Sequence, residues 1–176
     1  MKKKLIERVT VGSGGAASIT FSAIAADWTD LVIKLSSRSS RADTVDSAFI
    51  ALNGSSSNFT HRRLLGSGSS ASSSSASNGQ ILLNSAGSNT PNTFGNAEFC
   101  IPNYQSTAAK SISTDSVTET NATEAYQAIY ASLWNPSPNV AVTSITLTCG
   151  NGNFVEHSSA SLYGIVRGSD GTTTVS

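Results

Sequence analysis

The sequence predicts an all-β protein: a single antiparallel β-sandwich of the jelly-roll kind, interrupted by a long serine-rich loop. Three observations carry that expectation. Apolar and polar residues alternate at period two in short runs, clusters rich in Pro, Asn and Gly separate the runs, and no segment sustains a helical period. Strands of this kind must bury two inner sheet faces against each other.

The runs can be taken in order. In "SITF" Ile19 and Phe21 alternate with Ser18 and Thr20, and in "DLVIKLSSR" Leu31, Ile33 and Leu35 oppose Lys34 and Ser36. "DSAFIALNG" (46–54) is apolar on both faces and ends in an Asn-Gly turn signal. In "FTHRRLL" Phe59, His61 and Arg63 alternate with Thr60, Arg62 and Leu64, and "AEFCIPNY" (97–104) reads as a strand stopped by Pro102. "AYQAIYASLW" (125–134) and "VAVTSITLTC" (140–149) are separated by the turn cluster "NPSPN", and "SASLYGIV" (159–166) closes the set. The Ala and Glu content around Tyr126, Tyr130 and Trp134 also suits a helix. Tyr126, Ala128 and Tyr130 fit one strand face equally well, and the β-rich surroundings decide for a strand. The total is eight or nine strands.

Between "HRRLL" and "QILL" lies a stretch of almost pure Ser, Gly and Ala. Neither flank has enough alternating apolar residues to cover two sheet faces alone, so both are expected to share one core. Residues 66–79 are then a loop leaving and re-entering it, too polar to fold on itself. The expected organisation is an N-terminal arm and first strand over 1–17, a β-sandwich domain over 18–167, and a flexible C-terminal tail over 168–176.

A chain of 176 residues falls in the size range of one domain and can bury a core without disulfide or metal. Charged residues make up only 12%, Lys plus Arg and Asp plus Glu are both 11, and Ser and Thr fill roughly 30% of the chain. A neutral, hydroxyl-covered subunit lacks the self-repulsion that keeps copies apart and is desolvated at less cost than a charged one. The composition therefore reads as that of a subunit meant to pack against others, with a bland soluble monomer as the plain alternative. Zero net charge offers no broad field for phosphates, so nucleic acid is not an expected partner. No apolar run reaches the length of a membrane helix, so no membrane insertion is expected. "MKKKLIERV" has the basic start of a signal peptide without its apolar core, which predicts synthesis in a cytoplasm without secretory export. The Lys2–Lys4 run reads as a mobile arm touching an acidic neighbour, or simply as a soluble start.

No residue set names a reaction. Cys100 and Cys149 lie in no metal-binding spacing and read as small buried hydrophobes, with a disulfide between them unsupported. His61 and His157 are too few for most metal sites, and the Gly clusters lack the helix and lysine of a phosphate cradle. Asp43 and Asp46 suit a calcium site or, more plainly, are turn carboxylates. No catalytic residues, cofactor or metal ligands are assigned, and the chain is expected not to be an enzyme. Two arginine pairs, Arg38 with Arg41 and Arg62 with Arg63, suit either local pairing or salt bridges between subunits. Tyr104 and Trp134, beside Asn or Pro at strand ends, are candidates for stacking on sugar rings, against the plainer role of core-rim aromatics, and Trp28 falls in the same class. The interface or glycan-contact candidates are thus Arg38, Arg41, Arg62, Arg63, Tyr104 and Trp134.

Taken in series, "ITFSAI", "DLVIKLSSRSSRA", "ALNGSSSNFTHRRLLG" with the serine stretch, "IPNY", "KSISTDSVTETNAT" with "LW" behind it, "VTSITLTCGNGNF" and "SLYGI" resemble small β-sandwich virion proteins of tailed bacteriophages, of decoration and fibre type. The series spans residues 18 to 165, and its order rather than any one motif carries the likeness. The resemblance implies a virion structural protein, foremost a capsid decoration or cement protein that binds the outer shell and stabilises it. Its implied partners are copies of itself in a homotrimer and the major capsid protein or other virion proteins. It also implies synthesis in the host cytoplasm and location in the virion. The alternative it implies is a tail-fibre or receptor-binding module that holds host surface glycan. Similar sequences stand alone or end a longer fibre-like polypeptide. Here only about 17 residues precede Ser18, which favours the decoration reading.

Overall fold

A computed structural model describes residues 3–121 and 124–166. The chain is all-β, with twelve strands among the described residues: β1 (Lys3–Thr10), β2 (Ser18–Phe21), β3 (Trp28–Ser37), β4 (Val45–Leu52), β5 (Phe59–Ser67), β6 (Ser70–Ala76), β7 (Gln80–Ser85), β8 (Gly95–Ile101), β9 (Lys110–Thr120), β10 (Glu124–Trp134), β11 (Ile145–Cys149) and β12 (Ser159–Val166). They form two antiparallel sheets packed as a sandwich, an eight-stranded one in the order β1-β12-β3-β8-β9-β10-β5-β6 and a four-stranded one in the order β2-β11-β4-β7.

The alternation read from the sequence sets the inner faces. Leu31, Ile33 and Leu35 of β3 are buried while Lys34 and Ser36 point out, and on β11 Ile145 and Leu147 are buried. The segment 125–134 is a strand, paired with β5 on one side and β9 on the other. Asn53 and Gly54 make the expected tight turn, both at positive φ, closed by backbone bonds in both directions between Leu52 and Ser55. Buried side chains from both flanks of the serine stretch meet in one cluster, from Val11, Phe21 and Phe59 to Ile81, Phe99, Leu147 and Leu162.

Residues 66–79 depart from the expected loop. β5 runs on to Ser67, the chain turns at Gly68 and Ser69, and β6 returns as the edge strand, with Ser67 opposite Ser70 and His61 opposite Ala76. Gly68 takes φ +55, which the turn requires. Pairing with β5 satisfies one side of the β6 backbone. Both faces of β6 meet solvent, so no period-two pattern marks it.

The opposite edge also differs from expectation. Of the Lys2–Lys4 run read as a mobile arm, Lys3 and Lys4 belong to β1, which pairs with β12, while Lys2 lies outside the described residues. β1 falls within the 1–17 span expected to hold an arm and a first strand. Lys3 does meet an acidic group, Glu98 at 3.2 Å, within its own chain. Lys4 lies 5.6 Å over the Trp28 ring, and that ring covers Gly164 so closely that an added Cβ would sit 2.1 Å from it. The tail expected over 168–176 lies outside the described residues.

Hydroxyls are not confined to the skin. The inward side of β9 carries Lys110, Ile112, Thr114, Ser116, Thr118 and Thr120, all buried. Ser116 donates to the Ala128 carbonyl at 3.0 Å. Beside them buried Asn89 donates to the carbonyls of Thr44 and Glu119 at 2.6 and 2.7 Å and accepts from the Asn121 amide at 3.1 Å. Ser116 and Asn89 thus have their partners built in, whereas the buried Thr114 hydroxyl finds none among the described residues.

Two sheets of unequal width cannot cover one another. β7, the last strand of the small sheet, lies against β8, β9 and β10. Leu83 packs with Ala128, Tyr130 and Leu65, and Gln80 donates to the Tyr130 hydroxyl at 3.0 Å. With β9 and β10 placed between β8 and β5, the pair β5–β6 projects past β7.

Candidate interaction surface

The outward face of this overhang is assembled by register. Side chains directly opposite on neighbouring strands share a face and lie roughly 5 Å apart. One row across the large sheet reads Lys34, Glu98, Asp115, Ile129, Leu64, Ser73, and the next reads Val32, Cys100, Ser113, Ala131, Arg62, Ser75. A third, shorter row adds Ser111, Leu133 and Thr60. Ile129, Ala131 and Leu133 therefore form an apolar stripe along β10, widened by Leu64 on β5.

That stripe has no cover among the described residues. Leu64 is 61% exposed, Ile129 50% and Leu133 39%, and these are three of the five large hydrophobic residues left in solvent among the described residues. Scattered singly such residues would need no account, but a contiguous group marks an interaction surface. The face is troughed rather than flat, with a depression of about 570 Å³ walled by Arg62, Cys100, Pro102, Ser111, Ala131 and Leu133. Beyond it the β6 edge offers unpaired backbone groups and no charge. From Leu64 to Ala97 the chain contains no charged residue at all.

Charge flanks the stripe on both sides. On the β9 side, Glu98 is bonded by Lys34 at 2.9 Å and Lys3 at 3.2 Å, and the Lys34 bond foremost holds its carboxyl below the usual range. Asp115, directly opposite Glu98, accepts from the Gln127 amide at 3.2 Å. On the β5 side, Arg62 donates to the His61 carbonyl at 3.1 Å. Neither Asp115 nor Arg62 enters an ion pair among the described residues.

The other arginines serve the fold. Arg38 is buried and its guanidinium donates to four carbonyls, those of Thr90, Thr93, Gly87 and Asn89, at 2.7 to 3.1 Å, so it ties the β7–β8 connection into shape. Arg41 pairs with Asp43 at 2.9 Å and approaches buried Asp46 at 3.7 Å. Those two carboxylates, the candidate calcium ligands, are thus met by a guanidinium. Asp46 also accepts from the Ser39 hydroxyl at 2.7 Å. Arg63 points to the opposite face from Arg62, beside Tyr130, whose hydroxyl is pushed up by burial.

Tyr104 and Trp134, read as ring-stacking candidates at strand ends, lie inside the core, each 1% exposed. The Tyr104 hydroxyl donates to the Ala25 carbonyl, and Trp134 stacks on Phe59 at 6.1 Å between centroids. Trp134 is on the inward parity of β10, and Tyr104 lies in the turn after β8 with its hydroxyl directed into the fold, neither of which neighbouring Pro and Asn residues reveal. Buried Lys110, unnoticed in the sequence, donates to the carbonyls of Ser106, Ala108 and Val140 at 2.5 to 3.1 Å, and burial pulls its ammonium below the usual lysine range.

Both cysteines are free. Cys149 is pushed up to about 11 by burial, so it stays a thiol at neutral pH. Cys100, on the outer face, is also raised by burial. His61 is buried against Tyr130 at 5.6 Å, and His157 is exposed. Among the described residues no group of three or more His, Cys, Asp or Glu is placed to hold a metal ion.

No family model, no curated protein and no solved structure matches the chain.

Proposed function

We propose that the chain is a structural subunit of a tailed-bacteriophage virion, a decoration protein that adds to the outer capsid shell and stabilises it. The observation that carries this reading is the uncovered face of the overhang, an apolar stripe beside a long, neutral sheet edge. Apolar surface of this kind is hidden when subunits meet, and small hydroxyl side chains around it are dehydrated at modest cost. Partners are then copies of the chain and the major capsid protein, and many weak contacts repeated over a shell act together.

Strand order supports the same reading. Without β1, β12 and the β9–β10 pair, the two sheets reduce to β2-β11-β4-β7 and β3-β8-β5-β6. That is the order of a jelly roll, an architecture frequent in viral capsid proteins. On this view β9–β10 is a hairpin inserted into one sheet, and it is the insertion that moves β5 and β6 out from under the other. Fold alone does not give function, so the weight rests on the surface. The glycan-binding alternative has no such support, because Tyr104 and Trp134 present no ring to solvent.

The deciding experiment is quantitative mass spectrometry of purified particles that carry this protein, joined to heat challenge of particles with and without it. Hundreds of copies per particle and earlier rupture of the stripped shells are expected. A handful of copies, or shells indifferent to its loss, would reject the decoration role.

A further inference from the structure

We propose that the outer face of the overhang binds a second copy of this chain across a two-fold axis running along β10. The inference rests on reading this face as an assembly surface and names its first occupant. Three features make the face complementary to itself. The stripe of Ile129, Ala131 and Leu133 lies along the axis, so each copy lays its apolar row on the same row of the other. Basic Arg62 stands on one side of the stripe, on β5, and acidic Asp115 on the other, on β9. Neither has an ion-pair partner among the described residues.

The geometry explains why they do not pair internally and how a copy pairs them. Arg62 and Asp115 are two strand spacings apart and one pleat out of line, roughly 12 Å, with the β10 side chains between them. Rotation about an axis along β10 exchanges left and right. It places β5 of the second copy over β9, so that Arg62 of the second copy lies over Ser113. Asp115 is one pleat further along the strand, within reach of an arginine side chain. The reciprocal pair forms by symmetry, as an isologous contact requires. Sheets packed face to face are about 10 Å apart, a spacing the side chains of this stripe can fill.

Asp115 also sits directly opposite Glu98, a like-charge juxtaposition that costs stability. Lys3 and Lys34 bind Glu98 alone, so a cation arriving over Asp115 relieves the remaining repulsion. The second occupant to consider is a strand added to the β6 edge. It would use the backbone but leave the apolar stripe and both unpaired charges in solvent, so the face is the better fit.

Sedimentation equilibrium of the whole chain from about 0.1 to 100 µM tests this, a range that spans ordinary dimer affinities. A reversible dimer is expected. Ile129→Lys should raise its Kd by about 100-fold or more, since it sets like charges face to face at the centre of the contact. Arg62→Asp and Asp115→Arg should each raise it by about ten-fold, and the double swap should return it to within about three-fold of the starting value. Circular dichroism checks that each variant is folded. Should Ile129→Lys unfold, the charge-swap set at exposed positions decides alone. A monomer throughout, a trimer, or a dimer whose Kd ignores these changes would overturn the proposal, as would a dimer abolished by Ser73→Pro but not by Ile129→Lys. A dimer in solution from a protein missing from particles would sink the virion reading and leave this one standing. A monomer abundant in particles would do the reverse.

Discussion

β10 has two faces of similar apolar content and opposite fates. Ala128, Tyr130 and Trp134 point inward and are each 1% exposed, whereas Ile129, Ala131 and Leu133 point outward and meet solvent. In an antiparallel sandwich one face of a strand packs on the core and the other normally carries polar residues. Here only the inward side has a cover, supplied by β7 and the small sheet. The outward side keeps its hydrophobic residues without one. The two edges of the same sheet differ in a parallel way. β1 carries Lys3, Lys4, Glu7 and Arg8 and an irregular register between Leu5 and Glu7, both devices that discourage further strand pairing. β6, with only Ser and Ala, has neither. One end of the sheet is guarded by charge and an irregular register, and the other carries neither.

The contrast can be broken by mutation, and the largest effect belongs to the covered side. Trp134→Ala removes a buried, stacked ring, and denaturant unfolding should show a loss of about 3–5 kcal/mol. A loss near zero would mean that the inward face of β10 is not packed. Gly164→Ala pushes a methyl group into the Trp28 ring beside β1, and the same measurement should show a loss of about 1–3 kcal/mol.

Surface charge should matter less. Glu98→Gln breaks the exposed network with Lys3 and Lys34 at a cost of about 0–1 kcal/mol. Because the folded carboxyl is held below 4.5, its contribution is complete above that pH and fades as pH falls through the folded value. The stability difference between Glu98→Gln and the parent chain should therefore vanish in strong acid. The smallest effect is expected for Ile129→Thr at nanomolar concentration, where copies are apart. A β-branched residue replaces another on a solvent-facing site, so unfolding should change by no more than about 0.5 kcal/mol. A loss like that of Trp134→Ala would show that the outward face is already covered within one chain.

Strands with one wet face announced themselves, as with Leu31, Ile33 and Leu35 against Lys34 and Ser36. The strands that did not were those whose two faces are alike in polarity. β6 is wet on both sides, and β9 buries Thr114, Ser116 and Thr118 on the side where an apolar residue would have given it away. Of the candidate contact residues, Arg62 stands on the exposed face. Arg38, Tyr104 and Trp134 turned inward, since a residue beside a turn can have either parity.

By itself the sequence determined an all-β chain, because alternation at period two and turn chemistry are local properties of neighbouring residues. It also determined that the chain is short of charge. Only the tertiary structure decided which face of β10 is covered, where the serines go, and that Arg62 and Asp115 stand on opposite flanks of one stripe. Those outcomes depend on strand order, and strand order is set by which distant segments pair, a competition that no short window of sequence contains.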